Sequence, residues 1–173
     1  MRPSSSPRFV RPALAAALLA LRLLPLRAAA EAALTVTAPG KTITFTLAEF
    51  QALPHVELDA YDAHEKKQHH YSGVPIRALL TQAGVPSGEA VRGPVLREAV
   101  VSHAADGYAI IYALAEFDEA FSDRTILLVD REDGQPLPEG SGPLRIIAPG
   151  DKRPARWARM VTSLEVVAVP VNK

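Results

Sequence analysis

Three basic residues, Lys152, Arg153 and Arg156, lie close together directly after the apolar run LRIIA and the pair Pro149-Gly150. Arginine can donate two parallel hydrogen bonds to an oxyanion, and lysine supplies a compact positive charge. This segment therefore predicts a binding site for an anion such as a phosphate group. The alternative is a solvated loop whose basic residues balance acidic residues nearby. Trp157 follows directly and is expected to pack beneath the loop.

Three histidines, His64, His69 and His70, lie within one polar segment, DAHEKKQHHYSG. With Asp62 or Glu65 as an oxygen ligand, their imidazoles could bind a transition-metal ion. The spacing is not a specific metal signature, and in a strand His69 and His70 would point to opposite faces. An exposed polar hairpin is the alternative interpretation.

The composition excludes several kinds of chemistry. The chain has no cysteine, which excludes thiol nucleophiles, cysteine-bound zinc, iron–sulfur clusters and covalently attached c-type haem. It has no glycine-rich phosphate loop, no G-x-S-x-G motif and no H-E-x-x-H motif. Acidic groups at residues 116–119 and 130–133 are expected to be solvated turn residues, because neither lies in an obviously apolar stretch.

The first thirty residues predict a secretory signal peptide. They contain five arginines and no acidic residue, the apolar run ALAAALLAL, and a small-residue site at Ala28-Ala29-Ala30. Cleavage after Ala30 would leave a single domain, residues 31–173, in the periplasm or secreted; a retained N-terminal anchor is the alternative. The remaining chain has more acidic than basic residues, which argues against nucleic-acid binding. No integral membrane segment is expected after signal removal.

Short elements must position these residues. Thr46 and Glu49 form a capping-box pattern that predicts a short helix, and Val74-Pro75 predicts the start of a second helix that ends at Gly84. Alternating or β-branched runs predict strands over most of the rest, with a tight turn at Ala105-Asp106-Gly107. We therefore expect an α+β fold with a mixed, mostly antiparallel sheet and short peripheral helices.

Two runs in this order carry a family resemblance: GVPIRALL followed by Ala83-Gly84, and GPLRIIAPG followed by Arg156-Trp157. From residue 42 to residue 167 the chain resembles the sulfite oxidase-like molybdopterin-binding domain family. The resemblance implies the sulfite oxidase molybdopterin-binding-type fold and molybdopterin as a cofactor. It also implies that Arg156 contacts this cofactor, with Lys152 and Arg153 as neighbours on the loop that holds the pyranopterin and its phosphate.

The resemblance places a molybdenum-ligating cysteine near Asp62, where this chain has none, and AHEKKQHH replaces an arginine-rich segment. A thiolate ligand sets the geometry and redox potential of a metal, so Asp62 would give a different centre. The family also implies export of the folded, loaded protein by the twin-arginine route, but this N-terminus has no Arg-Arg pair. Both departures favour a chain without the family's catalysis.

Three functions remain open. The first is a non-catalytic binding or accessory module with a cationic pocket for an anionic small molecule, without a requirement for a cofactor. The second is a molybdopterin-dependent oxidoreductase, or a subunit of one, with a non-cysteine molybdenum site and a redox partner protein. The third is a metal-binding protein that uses His64, His69 and His70.

Overall fold

Residues 31–170 of the chain are described by a computed structural model, and they form two β-sheets with short helices around them. The strands of the first sheet are β1 (Ala32–Ala38), β2 (Lys41–Thr46), β5 (Glu98–Ala104), β6 (Ala109–Ala113) and β10 (Val161–Ala168). They follow the order β2-β1-β10-β5-β6. Neighbouring strands are antiparallel except for β1 and β10, which are parallel.

The second sheet carries most of the polar residues of interest. Its strands are β3 (Val56–Asp62), β4 (Lys67–Pro75), β7 (Leu127–Glu132), β8 (Gln135–Pro136) and β9 (Arg145–Ile147). They follow the order β3-β4-β7-β8, and β9 also pairs with β7. All these pairs are antiparallel. Residues 63–66 turn β3 back into β4, so the histidine-containing segment is one hairpin.

Two short α-helices, α1 (Leu47–Gln51) and α2 (Ile76–Gln82), follow strands of the two sheets. The backbone N–H of Glu49 donates to Thr46 Oγ1 (3.2 Å), and the backbone N–H of Thr46 donates to Glu49 Oε2 (2.8 Å). This is the predicted capping box. Pro75 directly precedes α2, and Gly84, with a φ of +89°, follows its end. Single 3₁₀ turns lie at residues 88–90, 93–97, 114–117 and 154–156.

One apolar core connects the two sheets. Its almost fully buried members include Leu34, Val36, Val100 and Leu164 from the first sheet, and Tyr71, Val74, Leu128 and Ile146 from the second. Each fully buried aliphatic side chain of this kind contributes about 1.5–3 kcal/mol relative to exposure. The core therefore gives the polar hairpin and the loop after β9 a rigid base.

Gly73 allows β4 and β7 to approach closely. A Cβ atom at this position would meet the backbone of Leu128 and lie 2.5 Å from Val129 Cα. The register also shifts directly before Gly73, so that Tyr71 pairs with Glu132 whereas Gly73 pairs with Val129. This irregularity determines which residues of β4 lie beside the end of β7.

The predicted α+β class, the mostly antiparallel pairing and the peripheral helices are confirmed, but the strands form two sheets where one was expected. Strand patterns do not reveal which distant strands pair, so they could not show this division. The signal peptide predicted for residues 1–30 lies outside the described residues, and the domain limits 31–173 stay a prediction. Between residues 31 and 170, no helix is long and apolar enough to cross a membrane.

Candidate functional site

Trp157 lies where the segment after β9 meets the β3-β4 hairpin. Its side chain is buried, and its indole N–H donates to Ala148 O (2.8 Å). Its ring meets the ring of Tyr71 edge to face, with centroids 6.2 Å apart. The indole therefore packs beneath the loop, as the sequence predicts, and it also lines two clefts.

The two clefts combine aromatic and basic side chains. The first has a volume of about 330 Å³, and its lining includes His64, Tyr108, Arg145 and Arg159. The second has a volume of about 440 Å³, and its lining includes Asp59, Tyr61, Asp151 and Lys152. Trp157 contributes to both. The first lining, which sets Arg145 and Arg159 against one carboxylate, Asp106, suits an anion that also has a flat, less polar part; the second has two carboxylates and one lysine.

Arg145 of β9 is a buried cation that lines the first cleft, with 2% of its surface exposed. Its Nη2 donates to Asp62 Oδ2 (2.7 Å), and its Nη1 donates to Glu132 Oε2 (3.4 Å). The guanidinium carbon lies 5.9 Å from the ring centroid of Tyr71 and 5.7 Å from that of Trp157. The two carboxylates and the two rings offset the free-energy cost of removing the guanidinium from water.

Asp62, at the end of β3, is fully buried, and both of its carboxylate oxygens are engaged. Oδ2 accepts the bond from Arg145, and Oδ1 accepts bonds from the backbone N–H groups of His64 (2.7 Å) and Glu65 (3.2 Å). Burial raises the pKa of Asp62, but the hydrogen bonds from Arg145 and the two backbone groups outweigh it, so the pKa lies below its usual value. Asp62 is therefore an ionised group that holds the hairpin turn against Arg145.

Arg156, which the resemblance assigns to the cofactor, is engaged with carboxylates. Its Nε and Nη2 donate to the two oxygens of Asp151 (2.9 and 2.8 Å), and its Nη1 donates to Glu116 Oε2 (3.0 Å). Arg124 donates to the same two carboxylates. The Arg156 guanidinium also lies 4.8 Å from the ring centroid of Tyr112. Arg156 lines neither cleft. Its contacts with Asp151, Glu116 and Tyr112 connect the loop to neighbouring segments.

Three further basic residues of this segment, Lys152, Arg153 and Arg159, have no acidic partner within residues 31–170. Lys152 lines the second cleft and Arg159 lines the first, whereas Arg153 is exposed and lines neither. The positive charges that face the clefts are therefore Lys152, Arg159 and, deeper, Arg145. Arg159 was not among the residues that the sequence analysis singled out.

The hairpin separates the three histidines. His64 lies in the turn and lines the first cleft. His69 and His70 are neighbours in β4 and lie on opposite faces, with side-chain exposures of 4% and 52%. His70 Nδ1 lies 2.7 Å from Asp59 Oδ1 and its Nε2 lies 3.0 Å from Glu57 Oε2; the hydrogen bond with Asp59 raises the pKa of His70. In this arrangement one ion does not contact both His69 and His70.

A second polar cluster surrounds His69. Its Nε2 lies 3.1 Å from Glu65 Oε2, and its Nδ1 lies 3.2 Å from Glu132 Oε1 and 3.0 Å from Asp133 Oδ2. One ligand atom from each of Glu65, His69 and Glu132 lies within 4.8 Å of the other two. The structure thus brings His69 together with acidic residues of β7 and the hairpin turn, and not with His64 or His70.

Sequence reasoning missed Arg145 and Glu132. The expectation of solvated acidic groups is wrong for Asp118, Asp130 and Glu132, which are buried. Asp130 lies beside His55 and Glu132 beside Arg145, both from distant segments, and Asp118 accepts hydrogen bonds from the backbone N–H groups of Gly88 and Ala120. The available signal was the arginine within the otherwise apolar run LRIIA. Because a buried arginine is almost always paired with a carboxylate, this arginine indicates that another part of the chain contributes a buried acidic residue.

Both the sequence and the fold of this chain are similar to those of known proteins. A model of the family described as oxidoreductase molybdopterin binding domain matches residues 24–173. No curated protein matches the sequence significantly. The fold is similar to that of the sulfane dehydrogenase SoxCD from Paracoccus pantotrophus, with a TM-score of 0.60 and 18% sequence identity over 77% of this chain and 37% of that chain. This chain therefore spans much less than two thirds of that protein's length. Because the family model extends over most of the sequence, the chain belongs to the oxidoreductase molybdopterin-binding domain family.

Proposed function

We propose that this chain is a binding or accessory module of its family, in which the clefts beside Trp157 take an anionic small molecule and no molybdenum chemistry takes place. The observation that carries the proposal is the environment of Asp62. This residue stands where the resemblance expects the metal-binding thiolate, and it is a buried carboxylate already bonded to Arg145.

The family implies molybdopterin, and the residues around Asp62 do not fit its metal. A molybdenum ion at Asp62 would have to displace Arg145 and the backbone N–H groups of His64 and Glu65. Arg145 would then stay buried beside a second cation, which is strongly unfavourable. The whole chain also lacks a cysteine that could supply a thiolate. These contacts support a domain that has kept the fold without the metal centre.

The anionic ligand is supported by the basic residues that face the clefts. Lys152 and Arg159 have no acidic partner in the described part of the chain, and Arg145 Nε has no hydrogen-bond partner there. An uncompensated cation gains more from an anion than one that already has a partner. Trp157 and Tyr108 add an aromatic wall to the first cleft. A phosphorylated heterocycle, such as a pterin phosphate without metal, belongs to the class of ligand that this lining supports.

The first test is the molybdenum content of the protein, produced in a cell that makes molybdopterin and purified without chelators. We expect far less than one molybdenum atom per chain. A stoichiometric amount would contradict the proposal. It would favour the second candidate function, an oxidoreductase with a non-cysteine molybdenum site and a redox partner protein.

The anion site is tested with inorganic pyrophosphate as the probe, by isothermal titration calorimetry. Arg159→Ala should weaken binding in the first cleft and Lys152→Ala binding in the second, each by about tenfold or more, the value of one charge-assisted hydrogen bond. Arg131→Ala removes an exposed arginine that lines neither cleft, and it should leave the affinity unchanged. Absence of binding to the wild-type protein, or equal affinities in all variants, would refute the anion site. Circular dichroism confirms that each variant is folded.

The oxidoreductase remains as the second candidate because one observation favours it, the match of the chain to an oxidoreductase family model over residues 24–173. The structural neighbour is itself a dehydrogenase by name. We propose a periplasmic or secreted location for either function, and cell fractionation combined with N-terminal sequencing of the mature protein tests it.

A further inference from the structure

We propose that Glu65, His69 and Glu132 form a binding site for a divalent transition-metal ion such as Zn²⁺ beside the turn of the β3-β4 hairpin. None of these three residues lines either cleft. His64, which directly precedes Glu65, lines the first cleft. The inference therefore does not depend on the proposed function.

The hydrogen bonds of His69 determine which ring nitrogen is available to a metal. Nδ1 forms a hydrogen bond with Asp133 Oδ2 (3.0 Å), and in the tautomer in which Nδ1 donates this bond, Nε2 carries the lone pair. Asp133 is held in place, because Lys67 Nζ donates to Oδ2 (3.1 Å) and the backbone N–H of His70 donates to Oδ1 (3.0 Å). Metal-ligating histidines commonly donate their other ring N–H to a carboxylate in this way.

The remaining nitrogen, His69 Nε2, faces a carboxylate without bonding to it. Nε2 is buried and has no hydrogen-bond partner, yet it lies 3.1 Å from Glu65 Oε2. Two atoms that both present lone pairs repel each other at this distance unless a cation lies between them. Ligands of a tetrahedral zinc ion are about 3.3 Å apart, given metal–ligand distances of about 2.0–2.1 Å. One oxygen of Glu132 lies within 4.8 Å of a ring nitrogen of His69 and of an oxygen of Glu65, so Glu132 can supply the third ligand.

The charges around the imidazole favour a divalent cation. The contacts link four carboxylates to two basic side chains: Asp62, Glu65, Glu132, Asp133, Arg145 and Lys67. These six side chains together carry two negative charges in excess, which one divalent ion neutralises. One imidazole nitrogen with two carboxylate oxygens is a ligand set that suits Zn²⁺.

The test is a titration of Zn²⁺ into the chelator-treated full chain at about pH 7.5, where an ordinary histidine is neutral, in competition with a chromophoric chelator. We expect one Zn²⁺ per chain in the wild type. Glu65→Gln and His69→Gln should weaken binding at least about tenfold. His70→Gln is the matched control, since it makes the same change at the adjacent histidine on the opposite face, and it should leave the affinity unchanged.

Thermal unfolding gives a second readout. Zn²⁺ should raise the melting temperature of the wild type and of His70→Gln, but not that of Glu65→Gln. Glu65 lies in an exposed turn, so its replacement by glutamine should not prevent folding. Absence of zinc binding, or an unchanged affinity in Glu65→Gln, overturns the proposal. A loss confined to His70→Gln overturns it as well, because it would place the ion at Glu57 and Asp59.

Discussion

At the scale of single residues, the contact between Arg145 and Asp62 occupies the position where the resemblance expects a metal-binding thiolate, and the proposed function depends on it. The two residues are 83 positions apart in sequence, and their contact joins β9 to the end of β3. A buried ion pair adds little to stability compared with an apolar pair of similar size, but removing one partner is costly. Asp62 therefore stabilises the buried position of Arg145, and Arg145 forms part of the wall of the first cleft.

Replacing Arg145 with methionine should lower the free energy of unfolding by about 3–5 kcal/mol, because Asp62 and Glu132 would stay buried without their cation. Urea unfolding measures the change. The double variant Arg145→Met/Asp62→Asn should recover part of the loss, because the uncompensated charge at position 62 is removed while its hydrogen bonds to the backbone can persist. Arg131→Met, an exposed change of the same type, should change stability by less than about 0.5 kcal/mol. A similarly small effect for Arg145→Met would contradict this account.

At the scale of elements, the β3-β4 hairpin and the end of β7 form one unit. The backbone N–H of Asp133 donates to His70 O (2.7 Å), and Tyr71 pairs with Glu132. This register depends on the irregularity before Gly73, since a strand without it would pair different residues. The placement of Glu132 beside His69 is thus a property of two strands and not of either alone.

Gly73→Ala should therefore be destabilising by about 1–3 kcal/mol or more, because the new Cβ atom has no room beside the backbone of β7. Ser72→Ala, one residue earlier on the same strand, removes only an exposed hydroxyl that donates to Glu57, and it should cost less than about 1 kcal/mol. Thermal unfolding of the two variants compares them directly. Equal melting temperatures would show that β7 can move aside.

Sequence reasoning succeeded where the signal is local. The capping box at Thr46 and Glu49, the helix after Pro75 and the turn at residues 105–107 depend on residues a few positions apart, and the structure has all three. It failed for Arg145 and Glu132, because a carboxylate in a polar run looks solvated until its distant partner is known. The division into two sheets was missed for the same reason, since strand patterns do not specify partners.

At the scale of the whole molecule, a network of two arginines and two carboxylates connects the sheets. Asp151 and Arg156 follow β9 of the second sheet, Glu116 follows β6 of the first, and Arg124 precedes β7. Burial raises the pKa of Asp151, but the hydrogen bonds from Arg156 and Arg124 outweigh burial, so the pKa in the folded protein is lowered.

A lowered folded-state pKa makes stability depend on pH. The contribution of Asp151 is fully present above the unfolded-state pKa of about 3.9 and is lost as the pH falls through the folded-state value. Asp151→Asn should therefore be destabilising by about 1–3 kcal/mol at neutral pH, and the difference from the wild type should narrow below about pH 4. Urea unfolding of both proteins across this range measures it. A difference that stays constant down to about pH 3 would argue against the ion pairs.

The position of β10 also governs the order in which the protein can assemble. β10 is the last strand of the described residues, yet it lies in the middle of the first sheet, between β1 and β5. Until residue 161 and those after it have emerged from the ribosome, the β1-β2 and β5-β6 hairpins have no strand to join them. Isolated hairpins are marginally stable in water, so the first sheet of a growing chain stays open until β10 arrives, whereas all strands of the second sheet are already present.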